Sequence, residues 1–158
     1  MHYIIAIAAM LLLTALDQFT KYLAVLHLKP VGSIPILENI FYLSYVENQG
    51  AAFGLLQGYR WFFVVLTVVL LYLGGYYYQK LPKGTVYRWV RLAIILIGAG
   101  AVGNCIDRAR NGYVVDFLYF SPINFPVFNV ADICVVCGTI LLAMLMLFFI
   151  REDSGKKA

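Results

Sequence analysis

The stretch ICVVCGTILLAMLMLFFI, residues 133–150, contains no charged side chain and directly follows Asp132. A helix needs about 20 mainly apolar residues to cross a membrane, so this run predicts a spanning helix. The composition of the chain agrees, because 63% of its 158 residues are hydrophobic and only 13% are charged. Soluble domains are about one-quarter charged, so we expect an integral membrane protein.

Three further apolar runs bring the number of predicted spans to four: residues 3–28, 61–78 and 89–106. The expected fold class is an all-α membrane protein with four transmembrane helices, and the length favours a single domain over residues 1–158. A signal peptide is the alternative for residues 2–16. Because no Lys or Arg precedes that run and Asp17 extends it with a polar face, we expect an uncleaved first span.

Basic side chains indicate how the spans are oriented. They concentrate in the second loop and in the C-terminal tail: Lys80, Lys83, Arg88, Arg91, Arg151, Lys156 and Lys157. Short basic segments stay in the cytoplasm, so we expect the second loop and both termini there, with the first and third loops outside. The net charge of +4 therefore reflects topology, and no nucleic-acid partner is expected.

Both outer loops contain strand-like sequence. The first loop, residues 29–60, includes the aromatic and β-branched run IFYLSYV at residues 40–46, which predicts one or two short strands on the membrane surface. The third loop opens with the turn signal Asn111-Gly112 and continues in a strand-like run over residues 113–120.

Four carboxyl groups lie inside or at the edge of apolar runs: Asp17, Asp107, Asp116 and Asp132. A carboxyl group at membrane depth is unfavourable, so each one is a functional candidate. In the predicted topology all four converge on the outer leaflet together with Asn48. Charges with unrelated structural roles would not be expected to gather on one side, so the convergence predicts a site there.

Asp116, in YVVDF at residues 113–117, and Asp132, in FNVAD at residues 128–132, are predicted to form a catalytic pair. Two carboxyl groups held close together cannot both ionise, so they share a proton. One then activates water as a general base while the other protonates the scissile carbonyl. The structural alternative makes Asp132 the N-cap of the fourth helix and Asp116 a solvated carboxylate at a strand end.

Asn104, Asp107 and Arg108 at the end of the third span form a second candidate group. Adjacent residues of a helix point in different directions, so Asp107 and Arg108 should meet different partners. Arg108 can pair with a carboxylate or a lipid phosphate, and Asn104 can donate to a peptide backbone. The alternative is a capping and ion-pair cluster with a structural role alone.

Asp17 and Lys21 stand four residues apart on the first helix, at the spacing of a direct ion pair. We interpret this pair as mainly structural, with the Lys21 amino group extending toward the membrane surface. Asn48 is followed by small residues beginning with Gly50, which permit close approach of a substrate strand or another helix.

No metal-binding pattern stands out. Cys134 and Cys137 form a CxxC inside an apolar run without a second pair of ligands. His2 and His27 are isolated, and no HExxH occurs. We interpret all three cysteines, Cys105 included, as packing residues and expect neither a metal nor a cofactor.

Together these residues closely resemble the lipoprotein signal peptidases, the type II signal peptidases of bacteria. Five blocks match that family in order: Asp17-Gln18 with Lys21, Asn48-x-Gly50-Ala51-Ala52-Phe53, Gly103-Asn104-x-x-Asp107-Arg108, Val114-Val115-Asp116-Phe117 and Phe128-Asn129-x-Ala131-Asp132. They run from the first span to the start of the fourth, so the resemblance covers essentially the whole chain.

The resemblance implies an intramembrane aspartyl endopeptidase that removes signal peptides from prolipoproteins, cutting before a diacylglyceryl-modified cysteine. It implies that Asp116 and Asp132 are catalytic. It implies that Asn48, Asn104, Arg108 and Asn129 line the site, with Asp107 and Asp17 in support. It also implies an extracytoplasmic β-cradle, expected from the first outer loop, and a site facing outward from the bacterial cytoplasmic membrane.

We expect a monomer whose partners are lipid-modified prolipoproteins and membrane lipid, with Phe53 and loop aromatics covering the site. A proton-coupled carrier is the main alternative, and it should show a broken helix or inverted repeats at mid-membrane. A structural scaffold is a third reading, which leaves the clustered polar residues without a role. The peptidase is favoured because the acids lie near one face and no repeat is visible.

Overall fold

The computed structural model describes residues 2–50 and 56–150, which form four long helices and three short strands. The helices are α1 (His2–His27), α2 (Arg60–Lys80), α3 (Thr85–Asn111) and α4 (Val130–Leu145), which continues as a wider helical turn over Met146–Ile150. The strands are β1 (Ser33–Leu37), β2 (Phe41–Asn48) and β3 (Val114–Phe120).

All four helices are long and apolar enough to cross a membrane, which confirms the four predicted spans. Their outward surfaces carry many exposed Leu, Val, Ile and aromatic side chains, as suits a hydrocarbon solvent. The helix α2 is the extreme case, because none of its described residues is buried.

The ends of the helices differ from the predicted ends, most of all in α3. Predicted over residues 89–106, it runs from Thr85 to Asn111, and Gly112 ends it in the left-handed region at φ 85°. The Gly112 N–H donates to the Arg108 carbonyl oxygen at 3.1 Å, which closes the last turn. The charges at this end lower the hydropathy without interrupting the helix, so the apolar run was shorter than the helix.

The helix α3 is central, since it packs against α1, α2 and α4. Glycines permit the closest approaches. A Cβ at Gly100 would overlap the Ala131 carbonyl oxygen of α4, and a Cβ at Gly103 would lie 2.5 Å from Oδ2 of Asp17 on α1. These contacts draw α1, α3 and α4 together at the end of the bundle where the sheet lies.

The three strands form one antiparallel sheet in the order β1-β2-β3. Two strands come from the predicted first loop and one from the third, so the strand-like runs are confirmed in both loops. Four helices with a small sheet agree with the expected fold, but the sheet was expected from the first loop and one of its three strands comes from the third. Asn48 pairs with Val114 in the register of β2 and β3, which brings Asn48 near Asp116.

The sheet is anchored on the end of α1 by a small apolar core. Ala24 and Leu28 of α1 are buried against Val115 and Phe117 of β3. Because side chains alternate along a strand, Asp116 points away from this core and toward α3 and α4. The docking of one strand thus decides where the carboxyl group of Asp116 lies.

Candidate active site

Polar side chains are buried where α1, α3, α4 and β3 meet. Asp17, Lys21, Asp107, Asp116 and Asn129 are all buried there, and Asn48, Asn104, Arg108 and Asp132 adjoin them with partial exposure. Within the described ranges, no buried polar side-chain atom lacks a hydrogen-bond partner. The structure thus brings together the predicted site residues, which come from distant parts of the chain.

Asp116 lies inside β3 with 1% of its surface exposed. Its Oδ2 accepts a hydrogen bond from Asn48 Nδ2 at 2.9 Å, and its Oδ1 accepts one from Asn129 Nδ2 at 2.6 Å. Burial raises the pKa of Asp116 to about 6, opposed by the Asn48 hydrogen bond and assisted by the negative charge of Asp132. The alternative of a solvated strand-end carboxylate is therefore wrong.

Asp132 lies in the first turn of α4 and takes part in a capping box. Its Oδ2 accepts from the backbone N–H of Asn129 at 3.1 Å, while Oδ1 of Asn129 accepts from the backbone N–H of Asp132 at 3.0 Å. The N-cap is therefore Asn129, and the structural alternative that placed Asp132 at the N-cap was wrong by one turn. The other oxygen of Asp132, Oδ1, accepts from Asn104 Nδ2 at 2.8 Å.

Asn129 connects the two carboxyl groups. It is fully buried, and its Nδ2 donates both to Asp116 and to Oδ1 of Asn104, the latter at 3.1 Å. Asn104 in turn donates to Asp132. Asp116 and Asp132 are thus joined through side-chain amides, in the surroundings expected for a pair that acts together.

Lys21 is buried beside this pair, with 3% of its surface exposed. Its Nζ lies 2.9 Å from Asp17 Oδ2 and 2.9 Å from Asp107 Oδ2, and it donates to Asn104 Oδ1 at 2.8 Å. The predicted ion pair with Asp17 is present. The expectation that Lys21 reaches the membrane surface was wrong, because two carboxylates from α1 and α3 hold its amino group inside the bundle.

The two carboxylates beside Lys21 also tie distant elements together. Asp17 Oδ1 accepts from the Ala131 N–H of α4 at 2.9 Å, and Asp107 Oδ2 accepts from the Val115 N–H of β3 at 3.3 Å. Gln18 adds a hydrogen bond of 3.0 Å to Asp107 Oδ1. Gln18 was not singled out as a site residue, although its place directly after Asp17 in a matched block was the available signal.

Arg108 faces away from Asp107, as expected for neighbours on a helix. Its Nη2 donates to the Gly50 carbonyl oxygen at 2.8 Å, and its guanidinium lies 4.5 Å from the centre of the Phe63 ring of α2. Gly50 N–H donates to Asn48 Oδ1 at 3.0 Å. Arg108 therefore supports the turn that carries Asn48.

A cleft of about 370 Å³ opens beside the two aspartates. Its polar end is formed by Asn48, Asn104, Arg108, Asp116 and Asp132, and its apolar wall includes Phe125, Pro126, Val127, Phe128, Ile133 and Val136. The predicted cover, Phe53, lies outside the described residues. In the part of the chain that the structure describes, no group of three or more His, Cys, Asp or Glu side chains could hold a metal ion.

Four membrane-length helices, with connected carboxyl and amide groups beside an open cleft, define a multi-pass membrane protein with a candidate catalytic site. The family model described as signal peptidase (SPase) II matches residues 9–148. The chain therefore belongs to the signal peptidase II family of proteases, and the resemblance inferred from the five sequence blocks is confirmed.

Individual relatives agree over nearly the whole chain. The lipoprotein signal peptidase of Caldanaerobacter subterraneus subsp. tengcongensis is 51% identical over 144 residues, covering 90% of this chain and 96% of that protein. The lipoprotein signal peptidase of Clostridioides difficile is 47% identical over 143 residues, covering 90% and 95%. A solved bacterial membrane enzyme superposes with a TM-score of 0.84 at 32% identity, covering 97% of this chain and 91% of that one.

Proposed function

We propose that this protein is an intramembrane aspartyl endopeptidase that removes signal peptides from diacylglyceryl-modified prolipoproteins, cutting before the lipidated cysteine. The observation that carries the proposal is the pair Asp116 and Asp132, held at one cleft and linked by the amides of Asn104 and Asn129. Family membership supports the reaction class, and the two carboxyl groups could act as the general acid and the general base.

The chemistry follows from the different settings of the two carboxyl groups. Asp116 has a pKa raised to about 6 by burial, so it retains the shared proton and donates it to the scissile carbonyl oxygen. Asp132 takes a proton from water as the water oxygen bonds to the carbonyl carbon, which gives a tetrahedral gem-diol. Asp132 then protonates the amide nitrogen, the C–N bond breaks, and Asp116 recovers its proton from a gem-diol hydroxyl.

The remaining predicted site residues have supporting roles in this proposal. Asn48 and Asn129 hold the oxygens of Asp116, and Asn104 holds Asp132. Arg108 fixes the Gly50 carbonyl, and with it the turn that presents Asn48. Such pre-arranged donors keep the carboxyl groups in place while charge moves between them.

The membrane setting matches the proposed substrate. A lipid-modified prolipoprotein is confined to the bilayer, so an enzyme acting on it must open its cleft at the level of the membrane. We propose the bacterial cytoplasmic membrane, with the sheet and cleft on the extracytoplasmic side and both termini in the cytoplasm. The basic residues where α2 ends and α3 begins support this orientation: Lys80, Lys83, Arg88 and Arg91. The enzyme would act as a monomer.

The carrier alternative has less support. Among the described residues, α1, α2 and α3 each run unbroken, and the buried carboxyl groups gather near the sheet. A carrier would be expected to interrupt a helix near its midpoint. The scaffold alternative does not account for an open cleft beside two carboxyl groups that share amide partners.

The test is a gel-shift cleavage assay in detergent on a diacylglyceryl-modified prolipoprotein, with wild type and Asp132→Asn compared. The unmodified prolipoprotein serves as the substrate control. Cleavage of the modified substrate by wild type alone supports the proposal. Cleavage by neither folded protein would overturn it and direct attention to proton flux in liposomes, while equal cleavage by both would overturn the role of Asp132.

A further inference from the structure

We propose that Lys21 is a positioning residue for the reaction, which acts through Asn104 on the carboxyl group of Asp132. The inference rests on the proposed function, since it gives Lys21 a role in that reaction in addition to its ion pairs with Asp17 and Asp107. It goes beyond the ion pair because Lys21 makes a contact that charge neutralisation does not require.

The orientation of the Asn104 side chain carries the inference. Its Oδ1 accepts from Lys21 Nζ at 2.8 Å and from Asn129 Nδ2 at 3.1 Å, and its Nδ2 donates to Asp132 Oδ1 at 2.8 Å. A lysine ammonium has donors only, so an amide that faces it must present its oxygen. The NH₂ group of Asn104 is then forced to the opposite side, where Asp132 accepts from it.

If the side-chain amide of Asn104 were turned by 180°, each of its three contacts would become unfavourable. The NH₂ group of Asn104 would face the donors of Lys21 and Asn129, and its oxygen would face the carboxylate of Asp132. Each of these contacts would leave a partly or fully buried polar group without a partner, which is strongly disfavoured. Lys21, at 2.8 Å the shorter of the two contacts to Asn104 Oδ1, therefore acts with Asn129 to select the one amide orientation that supports Asp132.

Lys21 is itself held in a fixed position. Its ammonium group has three N–H donors, and three acceptors surround it: Asp17, Asp107 and Asn104. The two carboxylates are sufficient to stabilise its charge. The third donor is directed at the amide that reaches Asp132, so the buried cation also determines the position of a group at the cleft.

The amide beside the other carboxyl group, Asp116, is oriented in a different way. Asn48 Oδ1 accepts from the Gly50 backbone N–H, which directs Asn48 Nδ2 toward Asp116. A backbone donor thus orients the amide beside Asp116, and a buried cation orients the amide beside Asp132. Loss of Lys21 should disturb Asp132 while leaving the contact between Asn48 and Asp116 in place.

A double-mutant cycle separates positioning from simple folding. We would measure kcat and KM for wild type, Lys21→Met, Asn104→Ala and the double variant on the diacylglyceryl-modified prolipoprotein. Lys21→Met should lower kcat roughly 10- to 100-fold, the rate equivalent of one hydrogen bond to a charged group. KM should stay within about twofold, and the double variant should be no slower than Asn104→Ala alone.

Two further variants control for charge and stability. Lys21→Met/Asp107→Asn keeps the net charge of the buried cluster, so it should fold even if Lys21→Met does not, and its kcat should be lowered to the same extent. Thr14→Val removes the hydrogen bond of 3.3 Å from Thr14 Oγ1 to the Ala99 carbonyl oxygen in the same α1–α3 interface. It should lower the thermal midpoint and leave kcat near the wild-type value.

The outcomes distinguish this inference from the proposed function. Losses in kcat that multiply in the double variant, or wild-type kcat in the charge-matched variant, would overturn the role of Lys21 while the peptidase stands. Absence of cleavage by the wild-type protein would overturn the proposed function itself.

Discussion

Asp116 and Asp132 are the same residue type in two different settings. Asp116 lies inside a strand, is 1% exposed and receives its two hydrogen bonds from side-chain amides. Asp132 lies in the first turn of a helix, is partly exposed and receives one of its hydrogen bonds from a backbone N–H in a capping box. The two carboxyl groups share the amide network of Asn129 and Asn104.

This difference suggests how one protein can give two identical side chains opposite tasks. Burial in the strand favours the protonated form of Asp116, as its pKa of about 6 indicates. The helix start offers Asp132 a backbone donor, and Asn104 offers it a second one. An acid and a base can therefore be obtained from one residue type by a choice of secondary structure.

The largest effect should come from removing either carboxyl group. Asp116→Asn and Asp132→Asn should each lower kcat by at least about 10³-fold, because each removes one of the two groups that the proposed proton transfers require. The double variant should be little slower than either single variant, since the two groups act as a unit. Single-turnover cleavage assays measure these losses. Substantial activity in either folded variant would show that the two carboxyl groups do not form a catalytic pair.

Asn129 should have the next largest effect, because it contacts one carboxyl group and caps the helix of the other. Asn129→Ala should lower kcat by roughly 10²-fold and the stability by about 1 kcal/mol, from the lost N-cap and the lost amide. Serine is an equally good N-cap but cannot bridge, so Asn129→Ser should recover the thermal midpoint and leave kcat low. Recovery of both would show that Asn129 acts through the cap alone.

Asn48→Ala should act on Asp116 alone, with a loss in kcat of about tenfold. The wild-type profile of kcat/KM should fall as pH rises through about 6, where Asp116 loses its proton. The Asn48 hydrogen bond favours the ionised form, so its removal should move this fall to higher pH by about one unit. The control is Glu47→Gln at the exposed neighbouring position, which should leave the pH of this fall unchanged. An unshifted pH profile for Asn48→Ala would contradict the assignment of the proton to Asp116.

The smallest effect concerns stability against pH. The pKa of Asp116 is raised in the folded protein from 3.8 to about 6, so folding is favoured while the group is protonated. That contribution is fully present below pH 3.8 and is lost as pH rises through about 6. The thermal midpoint of Asp116→Asn relative to wild type should therefore rise between pH 4 and about pH 7.

Glu47→Gln is the matched control, because the pKa of Glu47 is shifted in the opposite direction to that of Asp116. Hydrogen bonds from Lys29 and Tyr45 lower the pKa of Glu47, so its contribution to stability is present at high pH and lost as pH falls. The midpoint of Glu47→Gln relative to wild type should decline slightly as pH rises. A flat difference for Asp116→Asn would show that its setting does not favour the protonated form.

Much of the fold could be predicted from the sequence, because a membrane-spanning helix requires a long run of apolar residues. Four apolar runs of sufficient length predicted four spans, and the run IFYLSYV predicted strand β2. The helix ends were less accurate, since hydropathy does not distinguish a charged last turn of α3 from a loop. The single domain over residues 1–158 and the cytoplasmic termini stay predictions.

The candidate site residues could be singled out because polar groups in apolar runs are rare, and because five matched blocks contain them. Their partners could not be singled out in the same way. Asp17 meets the Ala131 backbone across 114 residues of sequence, and Lys21 meets Asn104 across 83. Hydrogen bonds of this kind depend on how α1, α3 and α4 pack, which local patterns do not reveal.

By itself, the sequence determined that this protein spans a membrane four times and that carboxyl groups lie at its apolar boundaries, because the free energy of placing side chains in lipid depends on composition. Only the tertiary structure decided that Lys21 is buried between two carboxylates, that Asn129 rather than Asp132 caps α4, and that Asp116 faces the cleft from inside a strand. Those features depend on donors and acceptors from distant elements, whose directions are set when the helices and the sheet pack together.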